Sequence, residues 1–340
     1  MKVTMKDIAT RLGISINAVS IALNDKSGVS DEMRLLILRT ADQMGYINQK
    51  RQYLSALSKS NICVLMQSYY ADTGHFYSIV LRSISEQAKD LGYFSILNYF
   101  EDDAFEIPEC VLERKVSGVL VVGKISDQNL IKLKSMGIPV VLVDFTSLCD
   151  PTDCVLTHNK QGGYMMTNHI IEKGYRHIGF FGDLDYSFSF YDRFLGFKQA
   201  LIKNHITDDI DGYIEQYSFL KGIEKNILSN DISQIIQILK TKPLPEVLFC
   251  ANDSNAFLVI SALSQMGLKV PDDIAVVGFD DTPLCMKSMP QITTVQVQKE
   301  LMGKIAVENL IDCIHRNTDY PVTRLLSVKI IERASLKEKN

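Results

Sequence analysis

Over roughly the first 45 positions the apolar residues recur with helical spacing. Thr4, followed three residues later by Asp7, makes a capping-box-like start, and Ile8, Ala9 and Leu12 then share one face until Gly13 ends the helix. Ser15 caps a second helix over 16–23, with Val19, Ala22 and Leu23 on its inward side. A polar loop over 24–28 leads to Ser30, which caps a third helix whose Met33, Ile37, Ala41 and Met44 form one face before Gly45. Beyond residue 60 the pattern changes to short apolar runs between amphipathic stretches. The runs 62–67, 94–98, 118–122, 140–144, 177–182, 246–250 and 274–279 are the predicted strands. Four helical stretches end alike, at Leu91-Gly92-Tyr93, Met136-Gly137-Ile138, Lys173-Gly174-Tyr175 and Met266-Gly267-Leu268. Helix, glycine stop and apolar strand in repetition predict an α/β body of mostly parallel sheets in two halves.

Two short helices joined by a glycine turn, with small Ala9 where they cross, fit a helix-turn-helix. The second helix is about 12 Å long at 1.5 Å per residue, and a helix of that width enters the DNA major groove. With Val19, Ala22 and Leu23 inward, Ile16, Asn17, Ser20 and Ile21 face outward. Asn pairs bidentately with adenine and Ile packs on a thymine methyl. The same pattern also suits a small helical bundle used for protein contacts. Charge is unevenly placed: residues 1–60 carry nine Lys and Arg against five Asp and Glu, while the remaining 280 carry 27 against 35. A basic head on an acidic body fits a polyanion partner.

Composition narrows the classes. The 340 residues are 46% hydrophobic and 22% charged, a globular chain with room for two or three units. No apolar run approaches the roughly 18 residues of a membrane span, and the first residues hold no apolar signal core, so a cytoplasmic protein without a membrane partner is expected. Seven cysteines, at 63, 110, 149, 154, 250, 285 and 313, include no C-x-x-C and read as reduced thiols. The six histidines show no close ligand spacing. D-D-I-D-G at 208–212 has Thr207 where a calcium loop needs its first ligand, so it reads as a turn, and neither metal nor cofactor is expected. Dinucleotide-binding, P-loop, nucleophile-elbow and H-E-x-x-H motifs are missing, which argues against an enzyme.

In open parallel sheets ligands sit beyond the carboxyl ends of the strands. Asp144, Asn252-Asp253 and Asp280-Asp281 follow predicted strands there. Each suits either hydrogen bonding to ligand hydroxyls or capping of the next helix, and Asp253 is the better candidate for a cap. Adjacent Asp280 and Asp281 should point apart. The aromatic stretch Y-S-F-S-F-Y at 186–191 reads either as a pocket wall or as local packing.

T-M-K-D-I-A-T-R-L-G-I-S-I-N-A-V-S-I-A-L-N at 4–24, G-V-S-D-E-M-R at 28–34 and G-Y at 45–46 resemble the N-terminal signature of the lactose-repressor (LacI/GalR) family of bacterial transcription regulators. The resemblance runs through the body: D-R-F-L-G-F-K-Q-A-L at 192–201, F-C-A-N-D-S at 249–254, G-L-K-V-P-D-D-I-A-V-V-G-F-D-D at 267–281, P-Q-I-T-T-V at 290–295 and E-R-A-S at 332–335. It implies a three-helix helix-turn-helix head (1–47), a hinge or linker (48–60) and an effector-binding and dimerisation body (61–340). The body would resemble periplasmic sugar-binding proteins, with two doubly wound parallel-sheet lobes at about 61–156 with 285–318, and about 157–284 with 319–335.

The DNA-binding residues implied are Thr4, Ser15, Ile16, Asn17, Ala18, Ser20, Ile21 and Asn24, with Leu54 as a minor-groove wedge and Leu57 as its alternative. Two positions depart from the family. Ala18 replaces a phosphate-binding Thr, and Ile21 stands where Arg often reads guanine, which implies an A·T-weighted outer half-site. Arg51 stands where Ala is common, so 48–61 reads either as a hinge helix or as a flexible basic linker. The effector residues implied are Phe76, Tyr77, Asp144, Arg193, Asn252 and Asp280. The expected function is a repressor, a homodimer on a palindromic double-stranded operator, controlled by a small-molecule effector, a sugar, between the lobes. The alternative is a sugar-binding or sugar-modifying α/β protein without specific DNA binding.

Overall fold

The computed structural model describes residues 3–23, 28–46, 61–72, 75–315 and 320–339. Asn24, Leu54, Leu57 and the 48–60 linker lie outside the described residues. The head contains α1 (Met5–Leu12), α2 (Ile16–Leu23) and α3 (Asp31–Gln43). Thr4 and Asp7 form the expected capping box, with the Thr4 amide donating to the Asp7 carboxylate at 2.8 Å, and Gly13 closes α1 at φ 66°. Ser15 Oγ accepts the Ala18 amide at 3.0 Å, and Ser30 Oγ accepts that of Met33 at 3.3 Å. Ile8, Ala9, Val19, Ala22, Ile37 and Ala41 form the core, with Leu23 packed beside it. Ile16 and Asn17 are exposed, but Ile21 is half-buried, because its side chain packs towards Gly28 in the α2–α3 loop. The expected outward face of α2 is therefore narrower by that residue.

The body has eleven described strands: β1 (Asn61–Gln67), β2 (Phe94–Phe100), β3 (Val119–Val122), β4 (Val140–Val143), β5 (Asp153–Thr157), β6 (Ile178–Phe181), β7 (Val247–Cys250), β8 (Ala275–Asp280), β9 (Thr293–Gln296), β10 (Thr323–Leu326) and β11 (Lys329–Ile331). They form two sheets, ordered β10-β5-β4-β3-β1-β2 and β11-β9-β8-β7-β6. All pairs are parallel except β9 with β11. In the first sheet the order reverses between β1 and β3, the switch point at which doubly wound sheets open a crevice.

The seven predicted strands are all present. Four further strands were not predicted from the chain, and two of them move the expected lobe limits. β9 lies in the second sheet although 285–318 was expected in lobe one, and β10 lies in the first sheet although 319–335 was expected in lobe two. Each is only four residues long, so its periodicity could not show which sheet it joins. The chain thus crosses between lobes after β5, β9 and β10. The helix between the last two crossings, Lys299–His315, packs on helix His75–Asp90 of lobe one, where Ser83 Oγ donates to the Glu300 carbonyl.

Two helices carry lobe two's side of the crevice: α4 (Asn159–Glu172) and α5 (Phe188–Lys203). They cross with glycine against backbone. A Cβ on Gly163 would lie 2.1 Å from the Arg193 carbonyl oxygen, and one on Gly196 would lie 2.1 Å from that of Lys160. Neither oxygen can retreat without moving a helix. Gly196→Ala is therefore expected to lower the melting temperature by about 5–10 °C, the effect of roughly 3 kcal/mol of overpacking in a body of this size. A shift under 2 °C in a thermal melt would show that the helices separate freely.

Candidate functional site

A cavity of about 750 Å³ opens between the lobes at the carboxyl ends of the strands. Phe76, Tyr77, Asp144, Arg193, Asn252 and Asp280 all line it, the first three from lobe one and the others from lobe two. At its floor Arg193, 5% exposed in its side chain, projects from the second turn of α5. Its Nε donates to Asn159 Oδ1 at 2.9 Å, Nη1 to the Ala251 carbonyl at 2.6 Å, and Nη2 to Asp280 Oδ1 at 2.9 Å. The guanidinium stacks 3.8 Å from the centre of the Phe279 ring. R-F-L-G-F at 193–197 thus sets Arg193 in the floor, Gly196 at the helix crossing and Phe197 in the core.

Asp280 ends β8 at φ 109°, and Asp144 follows β4 at φ 59°. Non-glycine residues resist this region, and such strain concentrates where a side chain must be aimed. Lys299 Nζ holds the turn by donating to the carbonyls of Asp280 and Asp281. Asp281 points away, accepting from Arg333 at 2.7 Å and Gln296 at 2.6 Å, so the two carboxylates diverge as expected. Asp144 accepts the Tyr77 hydroxyl at 3.1 Å.

Asn252, not Asp253, caps the helix α6 (Asp253–Gln265): its Oδ1 accepts the Asn255 amide at 2.8 Å. That corrects the expected cap. Asp253, fully buried, accepts instead from the Thr282 amide at 2.7 Å and Thr294 Oγ1 at 2.6 Å, tying the turn after β8 to β9. Asn252 also lines the cavity.

The aromatic stretch is a wall, since every residue from Leu184 to Tyr191 lines the cavity. It also meets lobe one: the Tyr186 and Tyr69 hydroxyls lie 3.1 Å apart, and the Phe188 and Phe145 rings 5.9 Å apart. Sequence reasoning missed Lys124 and Glu224. Lys124 follows β3, so the strand-end rule could have found it. Glu224 comes from a short helix, Glu224–Leu228, whose pattern carried no signal; its carboxylate accepts from Asn255 at 2.8 Å.

Burial raises the carboxyls of Asp144, Glu224 and Asp253 to about 7 each. For Asp144 the charge of Asp280 adds to burial, while Arg193 and the Tyr77 hydroxyl oppose it. Asp280 is raised by burial too, against the pull of Arg193 and Lys299. A carboxyl whose folded pKa exceeds its unfolded value makes the folded state bind more protons. Its stabilisation is complete below about pH 4 and is lost as pH rises through 7. The unliganded protein is therefore expected to melt at progressively lower temperature from pH 5.5 to 8. A flat or rising profile by scanning fluorimetry would show that these carboxyls ionise without penalty.

On the head, Ile16 and Asn17 stand exposed on α2, Ser20 and Ala18 are half-exposed beside them, and Thr4 and Ser15 are committed to helix caps. Among the described residues no helix is long and apolar enough to cross a membrane.

Comparison with known proteins agrees with this architecture. Residues 4–49 match the family described as bacterial regulatory proteins, lacI family, and residues 167–336 match the periplasmic binding protein-like domain. The HTH-type transcriptional repressor PurR of Photobacterium profundum is 27% identical, covering 99% of both chains. The HTH-type transcriptional regulator GalR of Streptococcus thermophilus is 29% identical over 98% of this chain and 99% of its own. Among solved structures, the lac repressor dimer bound to operator and an anti-inducer superposes with a TM-score of 0.68 at 24% identity, covering 98% and 99%. The chain belongs to the lacI family of bacterial regulatory proteins.

Proposed function

We propose that this protein is a sequence-specific DNA-binding transcriptional repressor whose operator affinity is set by a small ligand, a sugar, held between the two lobes. The observation that carries this reading is that side chains from both lobes converge on one cavity, in a chain that also bears a helix-turn-helix head. A ligand touching both lobes favours one lobe arrangement by its differential affinity, and that arrangement sets how two heads are presented.

Residues 1–47 read DNA, 48–60 connect, and 61–340 bind ligand and dimerise. One head buries too little surface for tight specific binding, so a homodimer reads two half-sites of a palindrome. Ile16, Asn17, Ser20 and Ile21 face bases; Thr4, Ser15, Ala18 and Asn24 lie along the backbone; Leu54 enters the minor groove. Ile21, partly covered by the Gly28 loop, offers only an apolar edge, which favours thymine opposite it. Phe76, Tyr77, Asp144, Arg193, Asn252 and Asp280 hold the ligand. The protein acts in the cytoplasm and carries out no catalytic step.

Selection from a random duplex library by the full-length protein tests this. The expected product is an inverted repeat, and retained sequences without a shared element would contradict the proposal.

A further inference from the structure

The cavity's size, charge and unfilled surface say what kind of ligand it takes. At about 750 Å³ it has several times the volume of one pyranose ring or one purine. Asp144, Asp185, Glu224, Asp253 and Asp280 line it, against Arg193 and Lys124. Arg193 offers an anion little net charge, because Asp280 faces it at 2.9 Å and Asn159 and Ala251 take two more of its five N–H groups. A phosphate or carboxylate on the ligand would meet mostly carboxylates.

Acceptors dominate the polar groups. Asp144 accepts the Tyr77 hydroxyl, and Glu224 accepts the Asn255 side-chain amide and the Asp183 backbone N–H. Both are left with lone pairs that hydroxyl donors satisfy. Donor-rich hydroxyl groups on an uncharged ring fit that inventory.

The second feature is the breadth of the lining. Besides Arg193, Asp280 and Asn252 it includes Glu224, Ile227 and Leu228 of the helix Glu224–Leu228, which Asn255 ties to α6. Within that lining Phe188, Tyr191 and Leu228 are 46%, 47% and 45% exposed, and Phe257 lines the cavity with them. Phe188 also meets Phe145, and Tyr191 and Leu228 leave nearly half of their surface uncovered. Pyranose rings present apolar C–H faces that cover such surfaces.

Resting on the reading of this cavity as the ligand site, we infer that its ligand is an uncharged oligosaccharide of at least two rings. One ring lies on Asp144, Arg193 and Asp280, and the next lies against Phe188, Leu228 and Phe257. The first position reads hydroxyls, and the second selects chain length.

Isothermal titration of the full-length protein tests this with glucose, galactose, ribose, maltose, cellobiose, lactose, maltotriose, cellotriose, glucose 6-phosphate and hypoxanthine. In at least one series the affinity is expected to rise about tenfold or more from the monosaccharide to the disaccharide, as about 60 Å² of apolar surface leaves water. Leu228→Ala, at an exposed position, should narrow that ratio to less than about threefold. The inference is overturned if the tightest ligand is a monosaccharide, the sugar phosphate or the purine, if no oligosaccharide binds, or if Leu228→Ala leaves the ratio unchanged. Operator selection does not depend on this panel. Success there with failure here overturns only the ligand class; failure of the selection overturns the regulator reading itself.

Discussion

Arg193→Ala is expected to abolish the ligand response and to lower the melting temperature by about 6–15 °C. The side chain is buried, and its removal deletes the charge that faces Asp280 at 2.9 Å. Breaking a buried pair from one side costs about 3–5 kcal/mol, because the remaining charge is left in a low-dielectric site. Lys299 limits that cost, since it lies near enough to Asp280 to favour its ionised form. Truncation also frees the Asn159 and Ala251 oxygens, which lose their donor. Arg193→Lys separates stability from recognition: it retains a charge but not the planar fork that serves three partners at once. It should recover at least half of the lost melting temperature, yet bind ligand at least about tenfold more weakly. Both variants should still bind operator at 25 °C, because the head is built around its own core. Unaltered ligand affinity in either would remove Arg193 from the site.

The second large effect is expected at the other end of the chain. Asn17→Ala should weaken operator binding by roughly 100-fold or more, with melting temperature and ligand affinity unchanged. Asn17 is exposed on α2, so its truncation disturbs no packing. A bidentate Asn–adenine pair supplies about 1–3 kcal/mol of discrimination, and a dimer would lose two of them. Operator affinity within about twofold of wild type, by fluorescence anisotropy, would show that α2 does not read bases through this residue.

Much of the architecture was legible because it is written in local chemistry. Thr4 with Asp7, Gly13, Ser15 and Ser30 mark helix ends through hydrogen bonds or φ requirements that only a few residue types meet, and the structure uses each as expected. The six expected ligand residues line one cavity: strand-end position pointed to Asp144, Asn252 and Asp280, and the family resemblance to Phe76, Tyr77 and Arg193. What escaped depends on distant partners. β9 and β10 are four residues each and join a sheet other than the one expected, a choice made by pairing with β8 and β5 rather than by their own pattern. Asp253 and Asn252 are adjacent polar residues at the start of one helix; which caps it depends on Thr294, 41 positions from Asp253, donating to the Asp253 carboxylate. Glu224 reaches the cavity because Asp183 accepts its backbone amide and the Asn255 side-chain NH₂ donates to its carboxylate. Ile21 turns partly inward because Gly28 leaves room for it.

The central claim is that occupancy of the cavity changes the affinity of the head for DNA. Its most direct test is an anisotropy titration of the selected operator with the wild-type protein, with and without each sugar at saturating concentration. At least one uncharged sugar should change operator affinity by about 5- to 150-fold, the range of a coupling of 1–3 kcal/mol, and Arg193→Lys should need at least about tenfold more of the same sugar for that change. If a sugar binds the cavity and operator affinity stays the same, the two sites are not coupled and the account is wrong.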